Sequence, residues 1–85
     1  MKKEVIKIIS EHDYDVFNDG TLIVFGKIYT VNEHIYWDVD HYYKPSPIAG
    51  YYLPSKSSSS IESAERSMRA YLSAFSDDYI VNENY

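Results

Sequence analysis

The segment Ile35–Tyr43, with the sequence IYWDVDHYY, constrains the fold most strongly, because its residues alternate with the two-residue period of a β-strand. One side of this strand is predicted to face the core and carries Ile35, Trp37, Val39, His41 and Tyr43. The other side is predicted to be an exposed row of two carboxylates between two phenols, formed by Tyr36, Asp38, Asp40 and Tyr42. Asp38 and Asp40 would then lie about 7 Å apart along the strand.

Two further strands are predicted before this one. Tyr14–Phe17 alternates and is followed by Asn18-Asp19-Gly20, a sequence that favours a hairpin turn because these residues tolerate positive φ. Thr21–Val31 follows and is apolar on both faces, so it is predicted to be the central strand, with Gly26 at a bulge or a close approach. Asn32–His34 turns the chain into the third strand, which completes a three-stranded antiparallel sheet.

Helices are predicted in both halves of the chain. Lys2–His12 places Val5, Ile6 and Ile9 on one helical side, although a strand remains an alternative because the run VIKII is β-branched. The C-terminal helix is indicated by helical spacing of apolar residues from Ile61 to Phe75, with Ser59-x-x-Glu62 as its capping box. The last residues, Asn82–Tyr85, are expected to be frayed.

The predicted class is therefore α+β: an N-terminal helix, a three-stranded antiparallel sheet, an irregular Pro/Tyr loop over Lys44–Ser58, and a C-terminal helix packed on the sheet.

The 85 residues are expected to form a single domain, residues 1–85, that lacks cysteine and carries a net charge of −5. Between residues 11 and 40 one lysine is set against seven acidic residues, which are Glu11, Asp13, Asp15, Asp19, Glu33, Asp38 and Asp40. This balance argues against direct binding of nucleic acid, because phosphate contacts need Lys and Arg. It fits a basic protein partner or a solvated acidic face. No segment has the length of a membrane span, so a cytoplasmic location is expected.

Motifs for catalysis are absent from the sequence, so an enzyme is not expected. The His and Asp residues at 12–15 and at 38–41 lack a diagnostic metal-binding spacing, and no cofactor or metal is predicted. Ten tyrosines, in contrast, favour a contact surface, because this side chain offers a large area at low rotamer cost. The predicted partner-binding residues are Asp13, Asp15, Asp19, Tyr36, Asp38, Asp40, Tyr42, Tyr43, Tyr51 and Tyr52.

In its element order, small size and acidity the chain resembles the small phage-encoded inhibitors of bacterial defence, in particular the anti-CRISPR proteins. The stretches that carry the resemblance are KKEVIKIISEHDYDV, NDGTLIVFG, HIYWDVD and AYLSAF. It implies a protein that binds a basic, nucleic-acid-handling effector, by mimicry of nucleic acid or by blocking a conformational step. The alternative hypothesis is a structural or assembly protein that self-associates through a strand edge and its tyrosines. Both a monomer and a homodimer remain open.

Overall fold

The structure, a computed structural model, describes residues 4–85. Its regular elements are six strands and one helix: β1 Ile6–Asp15, β2 Ile23–Val31, β3 His34–Val39, β4 His41–Tyr43, β5 Ser57–Ser58, α1 Ile61–Ser73 and β6 Tyr79–Val81. Strands β1, β2, β3 and β5 form one antiparallel sheet in that order, and β4 pairs with β6 in a second, two-stranded sheet. The described part of the protein is therefore α+β, with an antiparallel sheet and a single helix.

Both predicted hairpin turns are confirmed. Between β1 and β2, Asn18 and Gly20 have φ of 59° and 76°, and the Gly20 amide donates to Oδ2 of Asp15 at 2.9 Å. Between β2 and β3, Asn32 and Glu33 have φ of 50° and 72°. Positive φ at both central residues matches the twist of the flanking strands, so this short turn sets their register.

The predicted N-terminal helix is wrong, because the described part of that segment forms the outer strand β1. β1 pairs with β2 from Ile6, opposite Val31, to Asp15, opposite Ile23, with one bulge at Ile9. β-branched Ile and Val side chains are stiff in a helix and suit a pleated strand, and the hairpin turn brings β2 alongside. The apolar stripe expected of a helix is not covered, since Val5 and Ile6 are 67 % and 59 % exposed.

The strand predicted over residues 35–43 is divided at Asp40. β3 ends at Val39 and belongs to the large sheet, whereas β4 begins at His41 and pairs with β6. The Asp40 amide still donates to the carbonyl of Phe25 at 2.9 Å, while its carbonyl accepts from the Asn82 amide at 2.7 Å. Asp40 thus joins the two sheets, and the simple alternation of faces stops there.

The core lies between α1 and one face of the large sheet. Its fully buried side chains are Val24, Ile28, Trp37, Val39, Ala64 and Met68. Gly26 is confirmed as a close-approach site, because a Cβ atom there would lie 2.7 Å from Sδ of Met68. The helix predicted at the C-terminus is confirmed, but its cap is Ser60 instead of Ser59: Oγ of Ser60 accepts from the Ser63 amide at 3.0 Å.

The Pro/Tyr segment is irregular as predicted, yet it returns to the sheet. The Tyr52 amide donates to the carbonyl of Tyr43 at 2.8 Å, and the Trp37 amide donates to the carbonyl of Lys56 at 3.0 Å. Ser57 and Ser58 then pair with β3 as a fourth strand that the sequence did not indicate. Strand β3 is therefore an interior strand.

Candidate functional site

The exposed row predicted on the third strand is wrong, because Asp38 and Tyr42 are buried and Tyr36 and Asp40 are half-buried. Asp38 is 5 % exposed and Tyr42 is 9 % exposed. The alternation of β3 is as predicted up to Val39, but the face that carries Asp38 is covered by residues distant in sequence. The Asp38 carboxylate, which the strand pattern predicted to be exposed, therefore lies in the interior of the molecule.

Asp38 is held by three donors at a single oxygen. Its Oδ1 accepts from the Val39 amide at 2.9 Å, from Nδ2 of Asn82 at 3.0 Å and from Nζ of Lys56 at 2.8 Å. Lys56 also donates to the hydroxyl of Tyr42. Burial opposes the charge on Lys56, but the hydrogen bonds with Asp38 and Tyr42 outweigh it and raise the pKa of Lys56. The residues pair with one another, so Asp38 offers no free charge to a partner.

Asp40 is half-buried, and its carboxylate is also hydrogen-bonded within the protein. Its Oδ1 accepts from the Phe25 amide at 2.9 Å and lies 2.8 Å from Nδ1 of His41. The side chains of Asp40 and His41 are 20 % and 17 % exposed. This carboxylate fixes the junction between the two sheets.

The predicted tyrosines fall into different environments. Tyr43 is a core residue at 4 % exposure, whereas Tyr52 is 47 % exposed. The hydroxyl of Tyr51 donates to Oδ1 of Asp78 at 3.1 Å, and half-buried Tyr36 stacks on Tyr29 with ring centroids 5.7 Å apart. Buried Tyr42 is linked to Asp38 through Lys56, which contacts both side chains.

The exposed carboxylates lie instead along β1 and its turn to β2. This group, called the acidic hairpin below, consists of Glu11, Asp13, Asp15 and Asp19. Glu11 and Asp13 are opposite Lys27 and Phe25 of β2, so they project from the sheet face that α1 does not cover. Hydrogen bonds from the Thr21 amide and hydroxyl hold the pKa of Asp19 below its ordinary value.

An aromatic-edged depression of about 300 Å³ adjoins the acidic hairpin and is lined by Glu11, His12, Asp13, Phe25 and Tyr85. Phe25 is 50 % exposed, and the Tyr85 ring covers the Lys27 ammonium at 4.2 Å. Burial, reinforced by the carboxylates of Asp40, Glu11 and Asp38, raises the pKa of Tyr85 to about 12. The depression is therefore apolar in part and lies in a negative field.

The sequence predicts Asp13, Asp15 and Asp19 as members of a binding surface, but the prediction omits Glu11, Phe25 and Tyr85. Glu11 belongs to the same acidic run and could have been included on charge alone. Phe25 lies on the second apolar face of β2, which a four-stranded sheet with one helix leaves open. No local signal marks Tyr85, because its position depends on contacts with Lys27 that span the chain.

A second depression, of about 400 Å³, lies between α1 and residues 52–55. Trp37 lies in its wall, and Nε1 of this indole has no hydrogen-bond partner among the described residues. Trp37, Tyr43 and Tyr71 are at most 4 % exposed, so the floor of this depression offers a ligand little surface.

Within residues 4–85, no group of three or more His, Asp or Glu side chains is arranged to hold a metal ion. No helix in the described range is long and apolar enough to cross a membrane. A comparison of the chain with protein-family models, curated proteins and solved structures found no match.

Proposed function

We propose that this protein is a non-enzymatic inhibitor that binds a basic, nucleic-acid-handling protein in the cytoplasm of a bacterial host. The observation that carries the proposal is the acidic hairpin beside an exposed aromatic side chain. Four carboxylates are exposed there, and the lysine of the adjacent strand, Lys27, donates to the backbone carbonyl of Tyr85 at 2.6 Å. The negative charge is therefore left available to a partner.

The depression suits a basic side chain of that partner. Glu11 and Asp13 would pair with a guanidinium or ammonium group, while Phe25 and Tyr85 provide aromatic surface for its aliphatic stem and its charge. Contacts of this kind at the edge of an interface mainly accelerate association and set specificity. The partner surface in this proposal is a basic one that normally binds the phosphates of a nucleic acid.

A CRISPR effector is the favoured partner class. Its DNA-binding channel and its PAM-reading surface are rich in Arg and Lys, and ordered carboxylates can occupy the place of phosphates. Asp38 and Asp40 have no part in this contact, because both are hydrogen-bonded inside the molecule. The structural support is thus limited to the acidic hairpin with Phe25 and Tyr85.

The test is a DNA-cleavage assay with purified, guide-loaded CRISPR effectors, combined with affinity measured by interferometry at about 0.1 M and about 0.5 M salt. We expect the protein to slow cleavage and to bind more weakly at the higher salt. The double variant Glu11→Gln/Asp13→Asn should lower the affinity about tenfold, because it removes two charges from the contact.

The matched control is Glu62→Gln/Asp77→Asn, which removes the same net charge from exposed positions outside the acidic hairpin. It should bind as the wild type does. Equal loss in both double variants would show that only net charge matters. Full binding by Glu11→Gln/Asp13→Asn would remove the acidic hairpin from the interface, and absence of inhibition across effector types would overturn the inhibitor function.

A further inference from the structure

Three lysines in the described part of the chain lie over tyrosine rings, and one of them differs from the other two. Lys44 and Lys56 also pair with a carboxylate, the first with Asp78 at 3.9 Å and the second with Asp38 at 2.8 Å. Lys27 forms no ion pair with any carboxylate among residues 4–85. Its surroundings therefore differ from those of the two paired lysines.

The register of the sheet would allow Lys27 to pair. Glu11 and Asp38 lie opposite it on the two neighbouring strands, and all three side chains project from the same face. Opposite charges in such positions usually attract one another, because their Cβ atoms are about 5 Å apart. Asp38 is already bonded to Lys56, but Glu11 is exposed and has no cationic partner among the described residues. A further contact must therefore keep Lys27 away from Glu11.

Tyr85 provides this contact. Nζ of Lys27 lies 4.2 Å from the centre of the Tyr85 ring and donates to the backbone carbonyl of Tyr85 at 2.6 Å. Tyr85 is half-buried and lines the same depression as Glu11. A cation that lies over an aromatic face and donates to a carbonyl is stabilised without a carboxylate. The ammonium of Lys27 is thus directed to Tyr85, and the charge of Glu11 is not neutralised.

The position of Tyr85 is fixed through Asn82. The side-chain amide of Asn82 donates to Asp38 at 3.0 Å and to the carbonyl of Val39 at 2.7 Å. The Tyr85 amide donates in turn to the Asn82 carbonyl at 3.2 Å, and the Asn84 amide donates to Oδ1 of Asn82 at 3.0 Å. This turn is joined to β3 and brings the Tyr85 ring over β2.

We propose that Tyr85 is a positioning residue for the contact with a basic partner, because it holds Lys27 away from Glu11 and so keeps the depression beside the acidic hairpin anionic. The inference rests on the proposed function, in which the acidic hairpin is the surface that binds basic groups. Without the Tyr85 ring, Lys27 pairs with Glu11. The basic group of a partner then competes with this internal pair for the carboxylate.

The experiment measures the affinity of the protein for a hexa-arginine peptide by calorimetry at about 0.1 M salt. Tyr85→Ala should weaken binding about tenfold, whereas Tyr85→Phe, which keeps the ring over Lys27, should bind as the wild type does. The double variant Tyr85→Ala/Lys27→Met should recover most of the loss. Lys27→Met alone should raise the affinity no more than about twofold, since the charge of Lys27 is already directed to Tyr85.

The matched control is Tyr85→Ala/Lys44→Met, which removes the same charge from a lysine that pairs with Asp78 outside the depression. It should bind as weakly as Tyr85→Ala. A crystal structure of the Tyr85→Ala variant should show Nζ of Lys27 within about 4 Å of the Glu11 carboxylate. Circular dichroism confirms that each variant is folded.

Three outcomes would overturn the proposal: a Lys27 that stays apart from Glu11 in the Tyr85→Ala structure, equal recovery in the two double variants, or a wild type that does not bind the peptide. The inhibitor function is tested separately by the DNA-cleavage assay. The expected pattern of affinities without any inhibition of cleavage would support the role of Tyr85 and overturn the inhibitor function alone.

Discussion

Glu11 and Asp38 flank the same residue, Lys27, from the two neighbouring strands, and they project from the same face of the sheet. Glu11 is exposed, whereas Asp38 is 5 % exposed. The difference arises from the cover that later segments of the chain provide. β1 is an edge strand, while the side of β3 that carries Asp38 is covered by Lys56 and by Asn82.

Whether a carboxylate on a strand is buried and paired or exposed thus depends on which other segments of the chain pack over it. Asp38 accepts hydrogen bonds from Lys56 and Asn82, and it stabilises the fold by holding these two distant segments against β3. Glu11 has no such partner within the described residues and leaves its charge at the surface. Four predictions test this division between an interior region around β3 and an open region around β1, beginning with the largest expected effect.

Replacement of Asp38 should produce the largest loss of stability. Asp38→Ala leaves the Lys56 ammonium without its carboxylate and removes one of the two acceptors of the Asn82 side-chain amide, so the free energy of unfolding should fall by about 3 kcal/mol. The measurement is urea unfolding followed by the fluorescence of Trp37. The matched control, Asp13→Ala, lies on the exposed strand and should change the same quantity by no more than about 0.5 kcal/mol. Equal effects would contradict the division.

Gly26 tests the close contact between the sheet and α1. A Cβ atom at this position would lie 2.7 Å from Sδ of Met68, so the Met68 side chain must shift in Gly26→Ala. We expect a loss of about 2 kcal/mol, measured as a shift of the urea midpoint. Gly50→Ala is the control, because nothing lies within 4 Å of a Cβ atom there. A neutral Gly26→Ala would mean that the helix packs less closely.

Asn82 tests whether the C-terminal end belongs to the interior region. Its Nδ2 donates to Asp38 at 3.0 Å and to the carbonyl of Val39 at 2.7 Å. Asn82→Ala should lower the free energy of unfolding by about 1.5 kcal/mol, because both acceptors lose a buried donor. Glu83→Ala, at an exposed neighbouring position, should have little effect. Hydrogen exchange at the backbone amide of Asn82, which donates to the Asp40 carbonyl, gives an independent measure.

Alkaline pH should weaken the contacts of Tyr85 with β2 and of Lys56 with β3 without affecting stability at neutral pH. Burial raises the pKa of Tyr85 to about 12 from 10.0, and the pKa of Lys56 is also raised. Both groups bind their proton more tightly in the folded state, so stability is full below pH 10 and falls as pH rises toward 12. Urea midpoints across this range provide the measurement. Tyr85→Phe should flatten the decline, and an unchanged decline would exclude this phenol as a cause.

Local pattern predicted the elements whose partners are close in sequence. The turns at Asn18–Gly20 and Asn32–His34 and the amphipathic helix that ends near Phe75 are confirmed, because turn chemistry and helical spacing act over a few residues. The strand period of Ile35–Val39 is confirmed as well. The partner-binding role of the predicted surface residues stays a prediction.

The errors have a different origin. The apolar residues of the first segment fit both the spacing of an amphipathic helix and the β-branched composition of a strand. Pairing with β2 decides in favour of the strand. The C-terminal residues are expected from sequence to be frayed. Asn82 is instead 5 % exposed, and its side-chain amide donates a hydrogen bond to Asp38. No short window of sequence that contains Asp38 also contains Lys56 or Asn82.

The sequence by itself determined the α+β class, the hairpin turns and the acidic character of the first half of the chain, because these depend on residue type and on neighbours. Only the tertiary structure decided which carboxylates remain available to a partner. Asp38 and Asp40 are paired with donors from distant segments, whereas Glu11 and Asp13 keep their charge on an uncovered edge strand. Burial and pairing are properties of the assembled sheet, so the alternation of a single strand does not contain them.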